Sequence, residues 1–165
     1  MSIHKAADGP LAEFMVIDID WLKLTDFKQR CYDAHVGYGF GDKDPHPGSG
    51  QVDFATIDCS GFVRTLLDYA SDGATAPMPD GSWQEDSWFA KTGFKPTEYA
   101  TCALSDGHLR VAIHHPGGRG GDPVGHIWLA TNGHTIESYG GHGPGERPWN
   151  HPWFIASADD CFVLG

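Results

Sequence analysis

The chain has 165 residues, 40% of them apolar, which suits one globular domain (1–165) with a single core. Its net charge of −11 works against nucleic acid and anionic membrane surfaces, so neither is expected as a partner. No apolar run approaches the roughly 18 residues of a bilayer span, and Met1 to Pro10 carries no hydrophobic signal-peptide stretch, so work outside the cytoplasm would need another delivery route. In chain order, Trp21 to Val36 predicts a helix, with Trp21, Leu22, Leu24, Phe27, Cys31, Tyr32 and His35 recurring at three- and four-residue steps. A loop rich in Gly, Pro and Asp follows, from Gly37 to about Asp53. A second helix begins near Cys59, is apolar at 62, 63, 66, 67 and 70, and ends before Asp72-Gly73. Residues 74–82 are a loop, Ser82 is placed to cap a third helix over 83–92, and Gly93 ends it.

The character then changes. Leu109 to His115 predicts a strand, and residues 116–123 a glycine-rich loop. His126 to Thr131 and His134 to Tyr139 flank Asn132-Gly133, the strongest short hairpin signal. The glycines and prolines from Gly140 to Trp149 predict an ordered loop rather than a strand. Trp153 to Ala156 and Cys161 to Leu164 predict two more strands. Helices first and antiparallel strands second make the fold class α+β.

The chemistry centres on Asp58-Cys59-Ser60-Gly61-Phe62 at the start of the second helix. A thiol at a helix N-terminus meets unpaired N–H groups and the positive end of the macrodipole, and both favour the thiolate. Its sulfur is expected to face outward from a core-anchored helix. A nucleophilic cysteine needs a base that takes its proton and returns it to the leaving group. His126 suits that role, because it opens a strand at the sheet rim after a flexible loop. Alternation puts His126, Trp128 and Ala130 on one face, so Trp128 could shield the site from water. A third group should orient the imidazole through its other nitrogen. Across the hairpin the residue opposite His126 falls near Ile136 to Ser138, which makes Glu137 the candidate, with His142 as runner-up. Arg147 could grip a substrate carboxylate or pair with Glu146. Trp83, Trp88 and Phe89 lie between Cys59 and His126 in sequence and are read as core more readily than as cleft walls.

Asp58-Cys59-Ser60-Gly61-Phe62-Val63, the later Gly125-His126-Ile127 and the upstream Tyr38-Gly39-Phe40-Gly41 together resemble the NlpC/P60 cysteine peptidases, papain-like cell-wall hydrolases. The resemblance covers roughly residues 21–140. It implies helices packed on a C-terminal antiparallel sheet and a Cys59–His126–Glu137 triad. It also implies a Tyr38 hydroxyl aimed at the oxyanion region beside Cys59, with a backbone N–H of Cys59 or Ser60 as second donor. Asp58, Ser60, His142 and Trp128 complete the expected oxyanion and substrate-binding set. The chain departs from the family in having Leu109 to His115 and a long glycine-rich loop where a Gly-Asp-Leu-Val-type strand is usual. It also has a glutamate near the position where the family often has a histidine.

The implied activity is hydrolysis of an amide in peptidoglycan stem peptides, commonly after γ-D-glutamate. The implied settings are a phage lysin or tail-associated hydrolase, or an amidase effector injected into a rival's periplasm. An immunity protein or a phage particle is then a partner, and a monomer is expected. Two other readings stand beside this one: a lipid acyltransferase on the same scaffold, and a non-catalytic metal- or wall-binding module. For the latter, His114, His115, His126, His134 and His142 would have to cluster. Asp42, Asp44 and Asp53 lack the spacing of a calcium loop, and four cysteines without a CxxC pair make a structural zinc site unexpected. No metal or cofactor is therefore expected. Cys102 and Cys161 could be bridged.

Overall fold

A computed structural model describes residues 3–5 and 14–165. β1 (Ile3–Lys5) pairs with β2 (Met15–Ile17). Three helices follow, α1 (Trp21–Asp33), α2 (Cys59–Ala70) and α3 (Ser82–Thr92). Then come β3 (Lys95–Pro96), a short 3-10 helix (Tyr99–Ala103), β4 (Arg110–His114), β5 (His126–Thr131), β6 (His134–Tyr139), β7 (Gly143–Gly145), α4 (Pro152–Ser157) and β8 (Asp160–Val163). The larger sheet has the order β3-β8-β4-β5-β6-β7, with every pair antiparallel. Helices segregated from an antiparallel sheet make the fold α+β, as the chain order predicts.

The sheet is covered on both faces, and strand alternation decides which residue goes where. Val111, Ile113, Ile127, Leu129 and Ile136 face Phe62, Val63, Leu66 and Leu67 of α2 in the main core. Ala112, Trp128 and Ala130 face the other way, onto Tyr99, Cys102, Phe154 and Cys161. α2 is buried along nearly its whole length, and α1 packs its Leu24, Phe27 and Cys31 into the same core.

The structure corrects four expectations. Trp153 to Ala156 is helical, not a strand: Pro152 stands at the first helical positions and the His151 side chain accepts from the Trp153 N–H, a start signal that overrides the aromatic and β-branched composition. Gly143–Gly145 is a strand on the sheet edge, not a loop. Glycine is needed at 143 because φ is +92° and a Cβ would lie 2.4 Å from the Val36 carbonyl oxygen. The first helix stops at Asp33 because the chain turns through His35 at φ +53°. Ser82 begins α3 without capping it; the cap position is Gly81, with no side-chain bond.

One hydrogen bond joins the sheet to the start of α2. Ser138 Oγ donates to the Ile57 carbonyl over 2.7 Å, and both groups are buried. Ser138→Ala would strand that carbonyl and is expected to lower stability by about 1–3 kcal/mol. Urea unfolding should then show a lower midpoint at an unchanged slope.

Candidate active site

Asp58 caps α2: its Oδ1 accepts from the Gly61 N–H at 2.8 Å. The first intrahelical bond runs from the Phe62 N–H to the Asp58 carbonyl, which leaves the N–H groups of Cys59 and Ser60 outside the helix ladder. Asp58 also pairs with Lys43, whose Nζ donates to Ser60 Oγ at 2.7 Å. Gly61 suits the close crossing of the 42–43 loop: a Cβ there would sit 3.0 Å from the Asp42 carbonyl oxygen and from the Lys43 side chain, a tight fit. Asp58, Ser60 and Gly61 thus fix the helix start against that loop.

Cys59 is recessed, only 7% exposed, rather than facing outward. It lines the floor of a cleft of about 340 Å³ with Tyr38, Phe40, Lys43, Trp83, Val124 and Gly125. A contiguous cleft of about 500 Å³ shares Tyr38, Phe40, Val124 and Gly125 and adds His126, Tyr139, Arg147, His151 and Trp153. Trp83 is exposed and lines the cleft, whereas Trp88 packs on the core and Phe89 is fully inside it. The prediction of core placement therefore holds for two of the three.

The His126 ring stands between two partners. Its Nε2 lies 2.7 Å from Glu137 Oε2, and Cys59 is near enough for its sulfur to act on the ring. The ring stacks on Trp128 at 5.6 Å between centroids and meets the Trp153 edge. Trp128 is wholly buried, its Nε1–H directed at the Tyr99 hydroxyl, so it forms a wall of the imidazole's site rather than a surface that touches ligand. Leu129 faces Ile136, and continuing that register sets Glu137 across from Trp128, one diagonal step from His126. The position directly opposite His126 is thus Tyr139, one residue beyond the expected window of Ile136 to Ser138, and Glu137, inside that window, meets the ring from the diagonal.

Glu137 is completely buried and fully bonded. Beyond His126 it accepts from Thr135 Oγ1 at 2.7 Å and from Arg147 through Nε at 2.9 Å and Nη2 at 2.8 Å. Arg147 therefore does not pair with Glu146; its fork holds Glu137, and its guanidinium lies 4.1 Å from the Tyr139 ring centroid and 4.5 Å from that of Phe154. This positioning group is a link that the sequence reading did not make. Glu146 pairs with Lys28 instead.

These contacts fix the protonation states. Burial alone would lower the His126 imidazole, but hydrogen bonds and charge from Cys59 and Glu137 outweigh it and raise it to about 9. Burial alone would raise the Glu137 carboxyl, but the bonds from His126, Arg147 and Thr135 hold it down at about 2. Burial pushes the Tyr38 phenol up to about 12, with Cys59 and Asp58 adding to the effect, so Tyr38 remains an O–H donor beside the thiol. The elements brought together are thus a recessed cysteine, a protonated imidazole, an ionised carboxylate and a phenolic donor. Such a set can deliver a sulfur nucleophile and then a proton to one bound carbonyl compound.

His142 is not brought to this cleft. Its ring stacks on Tyr139 at 4.7 Å and lines a separate depression with Cys31, Tyr32, His35 and Glu146. The histidines do not cluster: His114 is fully buried against backbone carbonyls, and His134 lies beside Glu146. Asp42 accepts from Thr56, Asp44 from Thr65, and Asp53 faces His46. Among the described residues one group, Asp86, His115 and Asp160, could present three ligand atoms to a metal ion, all within 4.8 Å of one another. No helix among the described residues is long and apolar enough to cross a membrane.

No protein-family model matches the chain, nor does any curated protein. Among solved structures it is similar to an NlpC/P60 family protein from Bacillus cereus ATCC 10987, with a TM-score of 0.50 and 23% identity over 82% of this chain. The match spans 38% of that protein's length. At the level of the fold, the chain is built like an NlpC/P60 family protein.

Proposed function

We propose that this chain is a cysteine peptidase or amidase that hydrolyses an amide bond in peptidoglycan stem peptides. The observation that carries the reading is one imidazole held at 2.7 Å by the buried Glu137 and acted on by Cys59, at the junction of two open clefts that Cys59 and His126 line. The NlpC/P60-like fold supports the substrate class, and the bond after γ-D-glutamate is the one such a resemblance favours. The papain-like arrangement of Cys59, His126 and Glu137 belongs to the same proposal.

In this mechanism the Cys59 thiolate attacks the amide carbonyl carbon. The oxyanion that forms is met by the Tyr38 hydroxyl and the N–H groups of Cys59 and Ser60. The His126 imidazolium gives its proton to the amide nitrogen, the C–N bond breaks, and the amine leaves. A thioester to Cys59 remains. Neutral His126 then takes a proton from water, whose oxygen attacks the thioester, and the thiolate departs as the carboxylic acid is released. Glu137 holds the ring in orientation and balances its charge, while Arg147 and Thr135 hold Glu137.

The delivery routes that fit are a phage lysin or tail-associated hydrolase, or a secreted effector that reaches a rival's wall. A phage particle or an immunity protein would be the respective partner. The acyltransferase and binding-module readings lack an observation of comparable weight. The deciding test is digestion of purified peptidoglycan, with fragments identified by mass spectrometry. Release of stem-peptide fragments is expected, unaffected by EDTA and abolished by iodoacetamide, with the alkyl group mapped to Cys59. Intact peptidoglycan after prolonged incubation with folded protein would overturn the reading, as would activity that survives Cys59 alkylation.

A further inference from the structure

Asp86, His115 and Asp160 come from three elements and take no part in the proposed hydrolysis. Asp86 lies on α3, His115 directly follows β4, and Asp160 opens β8. His115 Nε2 stands 2.5 Å from Asp86 Oδ2 and 3.0 Å from Asp160 Oδ2. One ring nitrogen thus faces two carboxylates, and the three atoms lie within 4.8 Å of one another. The frame behind them is held by other groups. Asp160 pairs with Ile113 across the strands, the Asp159 N–H donates to the Ile113 carbonyl at 2.8 Å, and Asp159 Oδ2 accepts the His115 N–H at 2.8 Å. Phe89, on the same helix as Asp86, seats α3 in the core. The His115 ring packs on Trp83, with 5.4 Å between centroids.

We propose that these three side chains bind one zinc ion, which ties α3 to the ends of β4 and β8. This inference does not rest on the peptidase reading.

The donor set selects the ion. An imidazole nitrogen suits zinc and its neighbours in the first transition row, whereas calcium and magnesium take oxygen ligands. Three protein ligands leave the fourth tetrahedral position to water. Charge agrees with this choice. An imidazolium balances one of the two carboxylates, whereas a divalent ion beside a neutral imidazole balances both. Nε2 then carries the lone pair and Nδ1 the proton.

The geometry needs little change. Ligand atoms about 2.1 Å from a tetrahedral ion stand roughly 3.4 Å apart, so each carboxylate oxygen retreats from Nε2 by less than about 1 Å. The Asp160 side chain is 44% exposed, which gives it room to turn and gives the ion a way in. The His46–Asp53 pair, at 3.1 Å, offers two such ligands and belongs to no group of three among the described residues. The zinc would also steady one wall of the Cys59 cleft, because Trp83 lines that cleft and packs on His115.

The experiment titrates the untagged full chain with zinc chloride by isothermal calorimetry, as wild type and as Cys59→Ala, which removes a competing thiol. Saturable binding of an ion that remains in Cys59→Ala is expected, with no saturable heat from calcium chloride. At free zinc 100-fold above Kd the melting temperature should rise by roughly 5–10 °C, and EDTA should reverse the rise. His115→Ala and Asp160→Asn, each made in the Cys59→Ala chain, should weaken binding by at least about 10–100-fold, the cost of losing even a supporting residue at such a site. His46→Ala should leave binding unchanged. Asp160→Asn keeps the size of a surface side chain, so the test stays decisive if His115→Ala folds poorly. No saturable zinc isotherm, binding lost wholly with Cys59, binding unmoved by Asp160→Asn, or an equal response to calcium would overturn the assignment.

Discussion

Glu137→Ala is expected to remove nearly all hydrolysis and, separately, about 3–5 kcal/mol of stability, whereas Cys59→Ala should remove the hydrolysis and leave the fold within about 1 kcal/mol of wild type. The asymmetry follows from the neighbours. Glu137 is wholly buried and neutralises two cations, the His126 imidazolium and the Arg147 guanidinium, while also accepting from Thr135. Deleting it strands buried positive charge. Cys59 is small, stands at the first turn of α2, and leaves a void of one sulfur on a cleft floor. A loss of 3–5 kcal/mol is a large fraction of the 5–15 kcal/mol that folds a typical domain, so Glu137→Ala belongs beside Glu137→Gln. Glutamine preserves the shape and one acceptor, but its amide group presents a donor to Nε2 or to the guanidinium. A loss of about 10⁴-fold in kcat with the fold retained is expected, on the precedent of triad carboxylates changed to amides. Peptidoglycan turnover and urea midpoints on all three variants check this. Glu137→Gln at more than a tenth of wild-type kcat would remove Glu137 from the mechanism. Unchanged midpoints in Glu137→Ala would mean that the buried network carries no net stability.

The parts of this site that can be read from the sequence are those set by local chemistry. Asp58 as a cap and Cys59 at a helix start follow from residue type and apolar spacing alone. His126 at a strand start and Glu137 across the hairpin follow from Asn132-Gly133, since a two-residue turn fixes register to within a residue. What escaped reading is set by contacts distant in sequence or by backbone position. Arg147 holds Glu137 because β7 folds back along β6, and a glycine-proline stretch gives no strand pattern by which to foresee that return. The α4 residues Trp153, Phe154 and Ile155 have strand composition; their helix is begun by His151 and Pro152, signals two and one residues outside the apolar run. Lys43 reaches Asp58 and Ser60 from a loop whose composition says only that it is a loop. His142 lies in a glycine-rich stretch that leaves its direction open in the sequence, and the stacking on Tyr139 turns it to another face.

The same pair of groups predicts how the protein responds to pH. His126 is raised in the folded chain, from 6.5 to about 9, so its contribution to stability is complete below 6.5 and is lost as pH climbs through 9. Glu137 is lowered, from 4.5 to about 2, so its contribution is complete above 4.5 and is lost as pH falls through 2. Each contribution is on the order of 3 kcal/mol, and because the two groups bond each other the contributions overlap rather than add. Stability from this network should be flat between about pH 4.5 and 6.5 and fall on both sides. Urea midpoints taken from pH 2.5 to 10 would show the plateau, and in Glu137→Gln the alkaline decline should end at lower pH and be smaller, because His126 loses one of the partners that raise it. Activity should follow the imidazolium. Above about pH 9 the leaving amine finds no proton on His126, and kcat/KM should fall about tenfold per pH unit. A wild-type midpoint that stays level from pH 6 to 10, or a rate that still climbs past pH 10, would mean that His126 titrates as an ordinary imidazole and that Cys59 and Glu137 do not hold its proton.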